Sequence, residues 1–207
     1  MLRRILGFDA KGVVSVALWV ARRRHGVPAG AVALPYAREQ ATLLMLFVFL
    51  QVVETFAAEL LLRAWNVAPG VRGTVLFVDV YSIFVVLAIG AAGATRPHVV
   101  TADELRVRYG AFFDLRVPRA LISSVRLTRS YDEQGMVRVG DGRLAVAVSS
   151  QTNVVVELSE PVTAVRPLGK TAEVTTVRFF TDTPGAALTA LSAGASRTGS
   201  DGGSRSR

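Results

Sequence analysis

Thr42–Leu62 reads TLLMLFVFLQVVETFAAELLL and Val75–Ala94 reads VLFVDVYSIFVVLAIGAAGA. Neither stretch contains proline, and their charged residues are only Glu54, Glu59 and Asp79. Runs of this length span roughly 30 Å as helices, the thickness of a bilayer's hydrocarbon core. Both are predicted to be transmembrane helices. Between them, Arg63–Thr74 (RAWNVAPGVRGT) is too short for a domain and rich in turn residues, so the pair forms an antiparallel hairpin.

Basic residues near the helix ends set the orientation, because Lys and Arg are retained on the cytoplasmic side. Arg3, Arg4, Lys11, Arg22, Arg23, Arg24 and Arg38 precede the first helix, and Arg96, Arg106 and Arg108 follow the second. The connecting loop has only Arg63 and Arg72. The expectation is a multi-pass protein of the cell membrane with both termini in the cytoplasm.

The chain is 207 residues, 51% hydrophobic, with a net charge of +8 and a mean hydropathy of +0.40. Such hydropathy exceeds that of an ordinary soluble domain. The absence of cysteine excludes disulfides, thiolate zinc sites and thiol nucleophiles. Much of the positive charge lies beside the membrane segments and no DNA-reading motif occurs, so nucleic acid is not an expected partner.

Gly12–Ala21 (GVVSVALWVA) is too short to span and runs into Arg22, Arg23 and Arg24. An arginine triplet is not a signal-peptide cleavage site. Two readings remain. One is an amphipathic helix in the interface, with Trp19 at headgroup depth and Arg22, Arg23 and Arg24 on anionic lipid. The other is a linker whose charges only set topology.

From Arg96 onward the pattern becomes short alternating segments. Leu105–Tyr109, Phe112–Val117, Leu121–Arg129, Met136–Val139, Arg143–Val148, Val154–Leu158, Val162–Arg166 and Val174–Phe180 are predicted strands, with Asp141-Gly142 as a hairpin turn. After Phe180, Pro184 suits a helix start, and Ala187, Leu188 and Leu191 share a face. The fold class is therefore α+β: a transmembrane hairpin, a small antiparallel β-barrel and a C-terminal capping helix. The domains are 1–40, a basic amphipathic segment; 41–95, the hairpin; 96–193, the cytoplasmic β-domain; and 194–207, a Gly/Ser-rich disordered tail.

The stretch RPHVVTADELRVRYGAFFDLRVPRALISSVRL, with Tyr109 before Gly110 and Ile122 and Val125 after Pro118, resembles the opening of bacterial pleckstrin-homology domains. QTNVVVELSEPV and VRFFTDTPGAALTAL are similar to the same family's closing elements. The whole chain resembles uncharacterised integral membrane proteins of bacteria with GC-rich genomes. This resemblance implies a pleckstrin-homology-like fold and little about activity.

Intramembrane carboxylates are costly and mark candidate sites. Glu59 can pair with Arg63 one turn on, and Asp79 is shallow enough to reach the interface or the loop arginines. Glu54 lies deeper and shares its depth with Ser82 across the hairpin. Glu54, Asp79 and Ser82 form either a proton or ion relay or, with Glu54 protonated, polar glue between helices. In the β-domain, Arg106, Arg108, Arg116 and Arg126 should point away from the core, as a solvated face or a headgroup- or partner-binding one. His98 is expected at the membrane exit in an interfacial or capping role. No nucleophile–base set, phosphate loop, metal site or cofactor motif is recognised. The expected function is thus a non-enzymatic interaction module for an unidentified protein or a second copy of the chain. The alternative is a subunit of an oligomeric transporter or conductor.

Overall fold

The computed structural model describes residues 12–166 and 169–195. The expected disordered tail lies outside these residues except for 194 and 195, and so do Arg3, Arg4 and Lys11. A short helix, α1, covers residues 12–20, and a strand, β1, follows at Val32–Leu34. Two long helices come next: α2, Arg38–Ala64, and α3, Pro69–Thr95, each 27 residues. Both are long and apolar enough to cross a membrane. They exceed the predicted runs because the tight link at residues 65–68 lets the flanking polar turns stay helical, with Pro69 at a position where its missing N–H is no loss.

Then come β2 (His98–Val100), β3 (Glu104–Tyr109), β4 (Phe113–Pro118), β5 (Ile122–Ser130), β6 (Val137–Gly140), β7 (Arg143–Val146), β8 (Thr152–Val165) and β9 (Thr171–Phe179). Helix α4, Pro184–Ala195, closes the chain's described part. The strands form two sheets, of order β1-β2-β3-β4 and β5-β8-β9-β7-β6. Leu105, Val107, Leu115 and Val117 of the first sheet meet Leu144, Val146, Val156, Val177 and Phe179 of the second, and Ala187 and Leu191 of α4 join the same core.

Three features correct the expected antiparallel barrel. The sheets do not close into one, and β7 pairs with β9 in parallel. The two predicted strands around Pro161 are one long strand, β8, because a register shift between Glu157 and Val162 removes the ladder bond that proline cannot donate. The expected basic segment 1–40 contains β1, antiparallel to β2 with Leu34 opposite His98. The two-helix hairpin is thus inserted between two adjacent strands of one sheet. The Asp141-Gly142 turn matches its prediction: both residues have positive φ and join β6 to β7.

Candidate functional site

The join between hairpin and sheet is built from aromatic and polar side chains that are remote in sequence. His98, on β2, is 1% exposed. Tyr36, in the turn from β1 to α2, stacks on its ring at 4.6 Å, and Tyr109 at the end of β3 stacks on Tyr36 at 6.1 Å. Phe179 of β9 meets the other side of His98 edge-on at 5.0 Å. Each such pair contributes about 0.5–1.5 kcal/mol beyond simple burial. The ladder ties the hairpin's first helix to both sheets.

Polar atoms within the ladder are satisfied. The backbone N–H of Arg108 donates to His98 Nδ1 at 3.0 Å, which makes Nδ1 an acceptor and leaves Nε2 protonated to donate to the Phe180 carbonyl at 2.9 Å. Burial holds the imidazole's pKa down at about 4, with nearby Arg108 adding to the effect. The Tyr36 hydroxyl accepts from Gly110 N–H at 2.7 Å, and burial pushes its pKa well up. Gln40 of α2 donates to the Tyr109 hydroxyl at 3.2 Å. Asp182 accepts from the first N–H of α2, at Arg38, while its own N–H donates to the Pro35 carbonyl. A carboxylate at a helix N-terminus is also favoured by the helix dipole. His98 is therefore a core residue and not the interfacial or capping group expected from sequence.

The arginines do not form the expected single face. Arg106 donates two hydrogen bonds to Asp114, one at 2.7 Å and one shorter. Arg116, directly opposite Arg106 in the ladder, is exposed. Arg126 belongs to the other sheet and pairs with Glu157. Arg108 lies on the outward face of β3, as alternation requires, yet it is 3% exposed. The loop after α1 covers it, and its guanidinium donates to the carbonyls of His25 at 2.9 Å and Gly26 at 3.0 Å. Its burial contradicts the solvated position expected for Arg108.

Helix α1 lies beside the domain-proximal third of α3. A Cβ at Gly12 would sit 3.2 Å from that of Ala88, and Trp19 borders a groove with Leu44, Gly90 and Gly93. Gly12 and Ser15 are buried, whereas Val13, Val14 and Val20 are exposed. Arg22, Arg23 and Arg24 are exposed where the chain leaves α1, and the N–H of His25 then closes the end of α3 by donating to the Thr95 carbonyl.

Along the hairpin, Leu44 faces Gly90 near the domain and Glu59 contacts Arg72 at the far end. This register brings Glu54 level with Asp79, and leaves Ser82 about one turn nearer the domain. They do not bond one another: the Ser82 hydroxyl donates to Val78 of its own helix, and Glu54 is exposed on the outside of the pair. Glu59 holds Arg63, at 2.7 Å, and Arg72, so both loop arginines are occupied and Asp79 has neither. Among the described residues, no three His, Asp or Glu side chains are grouped as metal ligands. No family model, curated protein or solved structure matches this chain.

Proposed function

We propose that this chain is a membrane-anchored interaction module. A two-helix hairpin of the cell membrane, with both termini cytoplasmic, presents a pleckstrin-homology-like β-domain that docks a protein partner or a second copy, without catalysis of its own. The observation that carries this reading is the pairing of β1 with β2 across the hairpin. The domain is tethered at both helix ends and by the aromatic ladder, so its orientation to the bilayer is set before any partner arrives. Preorganisation of this kind lowers the ordering cost of docking. The C-terminal helix packed on a two-sheet core supports the pleckstrin-homology likeness. Arginines gathered at the domain-proximal ends support the cytoplasmic assignment.

The oligomeric proton or ion conductor remains the rival, favoured by an exposed Glu54 level with Asp79. Photo-crosslinkers placed in cells at the exposed positions Tyr131 and Met136 should yield discrete adducts with one protein or with the chain itself. Reporter fusions that work only outside the cytoplasm should be active in the 65–68 link and silent at the C-terminus. A proton or ion flux in reconstituted vesicles that disappears in Glu54→Gln would overturn the module reading.

A further inference from the structure

We propose that a cavity at the junction binds a phosphate group carried by an anionic lipid of the leaflet nearest the β-domain. The cavity, about 280 Å³, is lined by His25, Arg96, Arg106, Arg108, Phe112 and Asp114 among others. Among the described residues, three guanidiniums thus face one carboxylate, and that carboxylate is already engaged by Arg106. Among the described residues Arg108, although 3% exposed, bonds only to neutral carbonyls, and its buried Nε has no partner. Arg96 makes no hydrogen bond or ion pair among the described residues.

A buried guanidinium bonded only to neutral acceptors is unfavourable, since carbonyls replace part of its hydration but do not balance its charge. Buried Arg108 and half-buried Arg96 share one cavity with a single carboxylate that Arg106 already holds, an arrangement that favours a bound anion. Phosphate fits best, because its several oxygens can accept from more than one planar guanidinium at once. The structure also indicates where the phosphate comes from. Arg96 is the first residue beyond α3, so the cavity opens where that helix would leave the bilayer. Phe112 at its rim packs beside Gly12, Ala88 and Ala92, and α1 adds the exposed Val13, Val14 and Val20 nearby. A lipid places an anion and an apolar chain in that same order. The proposal requires only that α2 and α3 enter the membrane; it does not depend on the β-domain recruiting a protein.

The test uses the full-length protein in neutral maltoside micelles and follows thermal unfolding as short-chain phosphatidylglycerol is added. Binding to the folded state alone should raise the Tm saturably, by about 3 °C or more. Phosphatidylcholine of the same chain length, whose choline cation offsets its phosphate and is repelled by the guanidiniums, should raise it far less. Arg96→Gln should weaken the apparent affinity by about tenfold, by loss of a charge-assisted contact. Because Arg96 makes no hydrogen bond or ion pair among the described residues, the lipid-free Tm should move little. Arg126→Gln, remote on β5, should bind as the wild type does. An equal Tm rise with phosphatidylcholine, or one indifferent to Arg96→Gln, overturns the site. Saturation by inorganic phosphate as strong as that by phosphatidylglycerol overturns the lipid assignment in favour of a soluble phosphate ligand.

Discussion

Replacing His98 should abolish a specific pH dependence of the β-domain's stability. In the folded protein its pKa is depressed to about 4, from an ordinary value of 6.5, chiefly by burial. The geometry gives a second cause: Nδ1 accepts the Arg108 N–H, so protonation would set two donors against each other. A histidine that is neutral when folded and ordinary when unfolded contributes its stability above its unfolded pKa. That contribution falls away as pH drops from about 6.5 toward 4, because only the unfolded chain takes up the proton. At about 1.4 kcal/mol per pKa unit, the loss between about pH 7.5 and about pH 5 is roughly 2 kcal/mol. Urea unfolding of the full chain in neutral micelles, read by the strand circular-dichroism signal, should register this as a midpoint shift of roughly 1 M. Carboxylates titrate in the same window, so the quantity of interest is the difference between the wild type and His98→Gln. That variant is less stable at neutral pH but carries no group in the ladder that titrates in this acidic window. His25→Gln, altering an exposed residue, should keep most of the wild-type dependence. Equal losses in the wild type and His98→Gln would refute the assignment of a buried neutral imidazole.

Tyr36→Phe removes the acceptor for the Gly110 N–H and should cost about 1–3 kcal/mol in the same urea assay, without altering membrane insertion. Gly26→Ala combines a positive φ of 65° with a Cβ only 2.8 Å from Arg108 Nη2, so it should destabilise by at least about 1–2 kcal/mol. Hydrogen exchange should then rise in β3 and at the end of α3. Gly142→Val, at the second positive-φ position of the β6–β7 turn, should cost about 1–2 kcal/mol and loosen exchange protection in those two strands first.

What could be read from sequence differs from what could not by the range of the interaction responsible. The two long apolar helices were legible because each residue of an apolar run carries the signal separately. The Asp141-Gly142 turn was legible because its requirement for positive φ is local. Alternation in Leu105–Tyr109 correctly placed Leu105, Val107 and Tyr109 in the core. Alternation reports which face a side chain occupies, not what covers that face. Arg106 and Arg108 share the outer side of β3, yet one sits near the surface beside Asp114 and the other is sealed beneath His25 and Gly26, from a segment more than 80 residues earlier. The parallel pairing of β7 with β9 was invisible for a related reason, since an apolar alternation is the same read in either direction. β1 is the sharpest case. Three residues have no measurable period, and its partner β2 lies beyond 54 residues of apolar helix. The candidate site inherits this illegibility. His98, Tyr36 and Arg108 acquire their roles only when β1 closes against β2, and the signal that could have exposed them is the hairpin itself. Two strands flanking an antiparallel helical pair emerge side by side on one surface of the membrane. Any apolar triplet just before such a pair, followed by another just after it, is a candidate for pairing across the membrane stem.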